Sequence, residues 1–103
     1  MPEKEIIIEI AIERLRDFPG SPFSVAMDEQ MQDLIESIRI YGILNPLIVR
    51  PMPDGCYQII SGHRRKFAAV KLRYRKVPVI IRALNDDEAG VYSASSGASR
   101  VDL

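Results

Sequence analysis

A short stretch of the sequence, "SGHRR", places ionisable side chains where an apolar run gives way to a helical pattern. His63, Arg64 and Arg65 follow Ser61 and Gly62 there. The first turn of a helix leaves about four N–H groups without intrahelical partners, and those groups attract anions. Glycine lets backbone approach a phosphate closely, arginine donates in pairs to phosphate oxygens, and serine can cap the helix or donate to the same anion. The stretch therefore has the parts of a phosphate-binding site.

The same residues also fit a purely structural role. Charge runs on helices are commonly solvent-exposed faces, and Gly62 could simply turn the chain. The spacing of a P-loop, GxxxxGK[ST], is absent. His63, the lone histidine, could donate to a phosphate or transfer a proton, or could simply be an exposed residue at the helix start. A second segment, "YGILNP" over 41–46, is a helix stop followed by a strand start when its residues are taken alone.

The elements that must position these residues can be predicted from periodicity and turn chemistry. Met31, Leu34, Ile35 and Ile38 form one apolar stripe of a helix. Its start carries acidic residues and its end is followed by Gly42, as helix ends favour. We expect Phe67, Ala68, Val70 and Leu72 to be core contacts of the second helix. The predicted elements are strands at 5–10, 47–51, 56–60 and 77–84, helices at 28–41 and 63 to about 72, and turns at 17–23 and 53–55. Together they predict an α+β domain with a small mixed β-sheet and helices packed on it.

Bulk composition limits the class of protein. The 103 residues fit one small domain, and no segment resembles a signal peptide or a membrane span. Cys56 is the lone cysteine, which excludes an intrachain disulfide and a multi-cysteine zinc site. The net charge is zero, yet seven of the fourteen basic residues fall within 64–76. That distribution indicates a local anion site rather than a diffuse nucleic-acid surface. The absence of a signal-peptide pattern and a membrane span, with the lone cysteine, predicts a cytoplasmic protein.

Four segments, in this order, resemble the N-terminal domain of the ParB partition-protein family, which has the ParB/sulfiredoxin fold. They are "IERLRDFPGSPF", "SIRIYGILNPLIVRP", "GCYQIISGHRR" and "KVPVIIRALNDDEA". The resemblance covers about residues 6–88. It implies a ParB-like nucleotide-binding domain over 1–88, followed by a poorly ordered tail over 89–103.

The resemblance also implies a ligand and the residues that bind it. The ligand would be a cytidine nucleotide, CTP with Mg²⁺. The base would lie against Gly42, Asn45 and Pro46, and the phosphates against Ser61, Gly62, His63, Arg64 and Arg65. The implied function is that of an N-terminal module of a chromosome or plasmid partition protein, acting in DNA segregation in association with the nucleoid or a plasmid.

Departures from the family pattern weaken part of this expectation. His63 replaces the usual glutamate, and Phe67 stands where an arginine is common. After Glu88 nothing resembles the family's further phosphate motif or its helix-turn-helix. We therefore expect weak nucleotide binding, and DNA contact only through domains absent from this chain. A partition ATPase is a possible protein partner, and no membrane contact is expected.

Two other classes of function share the fold. Family relatives hydrolyse CTP or are described as nucleases, but we identify no catalytic residue and no metal ligand here. Sulfiredoxins carry a catalytic cysteine where this chain has Gly62, and Cys56 fits the core better. A phosphotransferase would need a carboxylate base, for which Glu29 and Asp33 are candidates, while the acidic run 86–88 lacks a metal-ligand pattern. A ligand-free protein-interaction domain is the remaining alternative.

Overall fold

The described part of the chain folds into five strands and two principal helices. The structure, a computed structural model, describes residues 6–17 and 28–91. Most of the predicted turn at 17–23, and the predicted tail from residue 92 onward, lie outside the described residues. The elements are β1 Ile7–Ala11, a 3-10 turn Ile12–Arg14, β2 Leu15–Arg16, α1 Glu29–Tyr41, β3 Leu47–Pro51, β4 Tyr57–Ser61, α2 His63–Lys71 and β5 Lys76–Ile81.

The five strands form one mixed sheet in the order β1-β5-β3-β4-β2. β5 is antiparallel to β1 and parallel to β3, β3 is antiparallel to β4, and the two-residue β2 is parallel to β4. Helices α1 and α2 pack on each other, and α2 contacts β3. This arrangement confirms the predicted mixed sheet with helices packed on it.

The sheet has to curl because its two edge strands are joined by a very short link. Only the 3-10 turn Ile12–Arg14 separates the end of β1 from the start of β2. Four Cα–Cα steps from Ala11 to Leu15 span at most about 14 Å, whereas the edges of a flat five-stranded sheet lie about 19 Å apart. Curling closes that difference and encloses the apolar face.

Two connected apolar clusters form the core. The larger combines side chains from all five strands with Ala69 of α2, and the smaller lies between α1 and α2. Their buried members are Ile10, Leu15, Leu47, Val49, Ile59, Ala69, Val77 and Val79 in the first, and Met31, Ile38 and Ala68 in the second. The prediction for Val70 was wrong: its side chain is 49% exposed and Ala69 is buried instead. Ala69 packs in the sheet cluster and Ala68 in the cluster with α1, which leaves Val70 on the outward face of α2.

Helix α1 follows its sequence signals closely. Asp28 caps its start by accepting a hydrogen bond from the Met31 amide at 2.8 Å. Gly42 ends it in the left-handed region (φ 77°) and donates its N–H to the Ile38 carbonyl at 2.8 Å. The hydroxyl of Tyr74 donates to the same carbonyl at 3.2 Å, which ties the end of α1 to the loop after α2.

A buried arginine explains why the last strand is shorter than predicted. β5 ends at Ile81 rather than at residue 84, and the following chain turns toward Arg50 on β3. The Arg50 guanidinium, 9% exposed, donates to Gln58 Oε1 at 2.7 Å and to the Leu84 carbonyl at 3.2 Å. It also pairs with Asp86 at 2.9 Å. Arg50 therefore anchors the segment leaving the sheet.

Beyond that anchor the chain becomes helical over residues 86–91, with Ala89 buried. The described fold thus extends three residues past the predicted boundary at Glu88. At the other hairpin, β4 begins at Tyr57, so Cys56 lies in the preceding turn and is half-buried rather than in a strand and the core. In the part of the chain that the structure describes, no helix has the length and apolar character needed to cross a membrane.

Candidate nucleotide-binding site

The sheet brings the two predicted binding segments to one end. β3 begins at Leu47, immediately after Pro46, and β4 ends at Ser61. The strands are antiparallel, and Ile48 lies opposite Ser61. The loop that precedes β3 and the turn that follows β4 are therefore neighbours. The register of the pair shifts next to Ile48, an irregularity that often lies beside functional sites.

Gly62 makes the turn from β4 into α2 in a conformation that disfavours side chains. Its φ of 110° lies in the left-handed region. A Cβ at this position would lie 2.7 Å from Leu47 Cγ. As the N-cap residue it has no side chain with which to cap α2, and its carbonyl accepts the first helical hydrogen bond, from Lys66, at 2.9 Å. The start of α2 thus presents backbone amides beside a position where only hydrogen fits.

The Arg65 guanidinium lies at this turn. Its Nη2 atom is 3.1 Å from the position that a Cβ on Gly62 would occupy. The side chain therefore folds back toward the N-terminus of its own helix, as helical side chains tend to do. A planar cation next to helix-start amides is the combination that binds phosphate oxygens.

The Arg64 guanidinium points to a different partner. Its Nη2 lies 3.5 Å from Oδ1 of Asp28, the residue that caps α1. The two neighbouring arginines therefore take separate positions, Arg65 at the glycine and Arg64 at the start of the other helix. The hydrogen bond from the Met31 amide, together with the positive charge of Arg64, lowers the pKa of Asp28 below its ordinary value.

The remaining predicted phosphate residues flank the turn. Ser61 is the last residue of β4 and His63 the first residue of α2, and both are half-buried. Lys66, one turn further on, lies 3.4 Å from Asp17 Oδ1. Two of the cations around the start of α2 thus have carboxylate partners more than 35 positions away in the sequence.

The predicted base-binding segment runs along α2. The Gly42 amide and the Tyr74 hydroxyl both donate to the Ile38 carbonyl. The Tyr74 amide donates to the Ala69 carbonyl of α2 at 2.9 Å. Gly42 therefore lies near the C-terminal end of α2. Pro46, four residues later, directly precedes the residue that contacts Gly62. A nine-residue helix is about 13 Å long. The loop 42–46 therefore spans most of its length, with Asn45 exposed and Pro46 half-buried.

Sequence reasoning missed two residues that shape this site. Leu47 appeared only as a strand residue, yet its side chain defines the space at Gly62. Asp28 appeared only as an acidic residue suited to a helix start, yet it also binds Arg64. Both relationships depend on how strands and helices pack, so no local pattern could indicate them.

The groups considered for enzyme chemistry do not form a cluster at the glycine turn. Cys56 precedes β4 and Gly62 follows it, which places them about 20 Å apart along an extended strand. Glu29 and Asp33 are exposed on α1. Within residues 6–17 and 28–91 no group of three or more His, Cys, Asp or Glu side chains could hold a metal ion. The described residues thus bring no acidic cluster and no thiol to the glycine turn.

Comparisons with known proteins agree with the fold. The family model of the ParB N-terminal domain matches residues 1–96. The nucleoid occlusion protein of Bacillus cytotoxicus is 37% identical over 99 residues, which cover 96% of this chain and 34% of that protein. The chain therefore spans about a third of the length of the curated relatives it matches.

Solved structures give the same result. C-terminally truncated ParB from Caulobacter crescentus, complexed with CTP-gamma-S, superposes with a TM-score of 0.82 at 37% identity, covering 94% of this chain and 55% of that chain. Sulfiredoxin from Arabidopsis thaliana gives a TM-score of 0.70 at 26% identity, covering 84% of this chain and 96% of that chain. These matches confirm the predicted ParB/sulfiredoxin-like fold.

Proposed function

The chain belongs to the ParB N-terminal domain family, and from that membership we propose that it is the nucleotide-binding module of a ParB-type partition or nucleoid occlusion protein. The ligand we propose is CTP. Support comes from the similarity to Caulobacter crescentus ParB, whose structure contains CTP-gamma-S. The proposed module comprises residues 1–88 together with the helical segment that continues to residue 91.

The observation that carries the proposal is the arrangement at Gly62. The residue is left-handed, lies against Leu47, starts a nine-residue helix and has the Arg65 guanidinium beside it. Backbone amides, the helix dipole and a cation at one point are what a phosphate group requires. We assign the phosphates to Ser61, Gly62, His63, Arg64 and Arg65.

The base is assigned to the loop beside α2. A nucleoside triphosphate is an elongated ligand, and the loop 42–46 extends from near Tyr74 to the residue preceding Leu47. Phosphates at the start of α2 would therefore leave the base beside Gly42, Asn45 or Pro46. The exposed amide of Asn45 can both donate and accept, as recognition of a pyrimidine edge requires.

Magnesium fits this proposal as a companion of the nucleotide. Mg²⁺ is commonly bound through substrate phosphates and a few waters rather than by an all-protein cage. The described residues contain no acidic cluster, so triphosphate oxygens and waters would supply most of its ligands. The ion would neutralise charge between neighbouring phosphates.

Action on DNA is proposed for the longer protein. The chain covers about a third of its nucleoid occlusion relatives, and we assign no recognition helix among residues 6–17 and 28–91. We propose that DNA contact, association with the nucleoid and any contact with a partition ATPase involve other parts of such proteins. Nucleotide binding by this module would regulate those parts.

Calorimetric titration of the 103-residue chain tests the proposal. CTP, ATP and ADP would each be added in the presence of Mg²⁺. We expect binding heat with CTP in excess of that with ATP, and its loss in Arg65→Ala. Arg39→Ala is the matched control, because Arg39 pairs with Glu36 on the exposed side of α1. Flat titrations with all three nucleotides would instead favour a ligand-free interaction domain.

A further inference from the structure

One carboxylate oxygen at the start of α1 serves two elements. Asp28 Oδ1 accepts the hydrogen bond from the Met31 amide at 2.8 Å, and the same atom lies 3.5 Å from Arg64 Nη2. The residue therefore caps one helix and holds a cation from the first turn of the other. Packing of α1 against α2 brings these helix starts together.

The two contacts differ in strength. The bond to Met31 has ordinary hydrogen-bond length, whereas charged N–H···O pairs at full strength lie at about 2.7–2.9 Å. The Arg64 side chain is 22% exposed and that of Asp28 is 51% exposed, so solvent reaches this ion pair. A solvent-accessible pair at 3.5 Å is easily exchanged for a stronger anion.

We propose that Asp28 is an internal competitor that sets the affinity of the phosphate site by occupying Arg64 until a nucleotide phosphate displaces it. The inference depends on the proposed nucleotide binding and adds a residue outside the "SGHRR" stretch. In the unliganded chain the carboxylate neutralises Arg64. On binding, the guanidinium exchanges Asp28 Oδ1 for a phosphate oxygen, while Asp28 keeps its hydrogen bond to Met31.

The separate cap contact is what makes the exchange possible without unwinding α1. If Asp28 bound only Arg64, displacing it would leave the carboxylate with water as its only hydrogen-bond donor. The Met31 amide stays in place and continues to stabilise the negative charge. The exchange then requires only a change in the Arg64 side chain. The bound phosphate still lies near the Asp28 charge, and this repulsion reduces its affinity further.

The substitution Asp28→Asn separates the two roles of the residue. Asparagine caps helix starts about as well as aspartate, but it carries no charge to compete for Arg64. In titrations with CTP and Mg²⁺ we expect Asp28→Asn to lower Kd about two- to five-fold, the range that an exposed ion pair contributes. Glu29→Gln is the matched control, because it removes an exposed carboxylate from the adjacent position and should leave Kd unchanged.

A double-mutant cycle assigns the effect to the pair. In an Arg64→Ala background the additional Asp28→Asn change should give no tightening. If Arg64→Ala binds CTP too weakly to titrate, Asp28→Asn alone still tests the inference, because tighter CTP binding by that variant supports it. If Asp28 had only a structural role, Asp28→Asn would instead bind CTP more weakly and lose helical circular dichroism.

The possible failures are distinguishable. Binding by the unsubstituted chain with an unchanged or raised Kd in Asp28→Asn overturns the competitor role and leaves the proposed function intact. Equal tightening by Glu29→Gln overturns it as well, because the effect would then be general electrostatics. Absence of CTP binding in the unsubstituted chain and in Asp28→Asn alike overturns the proposed function and this inference together.

Discussion

Leu47 and Gly62 lie so close that a Cβ on the glycine would be 2.7 Å from Leu47 Cγ. Gly62→Ala would therefore add a steric clash to an unfavourable φ of 110°. We expect it to lower the free energy of unfolding by about 2–4 kcal/mol. Urea denaturation followed by circular dichroism measures this difference.

Gly55 provides the control for that experiment. Its φ of 87° is also left-handed, but a Cβ there would meet no atom within 4 Å. Gly55→Ala should lower the free energy of unfolding by only about 1–2 kcal/mol, which is the cost of placing a side chain in the left-handed backbone conformation. Equal losses for the two variants would show that contact with Leu47 contributes nothing.

Arg65 and Arg64 should differ in their effects on nucleotide affinity. The Arg65 guanidinium lies at the glycine turn, whereas the Arg64 guanidinium lies beside Asp28 at the start of α1. Arg65→Ala is therefore expected to weaken CTP binding by more than tenfold, as loss of a charge-assisted pair to phosphate does, and Arg64→Ala by less. Calorimetric Kd values for both variants decide the order. A larger loss for Arg64→Ala would contradict the assigned geometry.

Arg50 should be important for stability rather than for binding. Arg50→Ala leaves the buried Gln58 Oε1 and the partly buried Leu84 carbonyl without their donor, at an expected loss of about 2–3 kcal/mol. The ion pair itself adds little, because the Asp86 side chain is 95% exposed. Asp86→Asn should therefore shift the urea midpoint far less than Arg50→Ala. Similar shifts would place the stabilisation in the ion pair.

Acid should weaken the cap of α1. The Asp28 pKa is lowered in the folded chain, chiefly by the Met31 amide. Its contribution to stability is therefore complete above the pKa it has when unfolded, and disappears as pH falls through the lower folded pKa. Urea midpoints measured from neutral pH to below the ordinary carboxylate range should fall less steeply in Asp28→Asn. Parallel curves for the two proteins would contradict this.

Local signals predicted the elements better than their contacts. Helix α1 was predictable because its apolar stripe, its acidic start and Gly42 all agree, and Met31 and Ile38 are indeed buried. β2 was missed because its two residues are a strand only through pairing with β4. The exposed Val70 shows the same limit, since neighbouring alanines determined which face of α2 packs.

In the candidate site too, local features could be predicted and contacts between distant elements could not. Gly62 and Arg65 could be predicted as neighbours because the turn and the helix that join them are local. The position of Arg64 could not be predicted, because Asp28 is 36 positions away and reaches it only through packing of the two helices. The base-binding role of residues 42–46 was predicted from the resemblance alone and stays a prediction, since these residues by themselves indicate only a helix stop and a strand start.

The first strand of the sheet has its neighbour almost at the other end of the described fold. Ile7 pairs with Ile80, and β1 lies at the sheet edge beside β5 alone. During synthesis β1 therefore cannot pair with its neighbour until residues 76–81 have left the ribosomal exit tunnel. A nascent chain that stalls earlier would expose an unpaired isoleucine-rich strand, which is a ready target for chaperones.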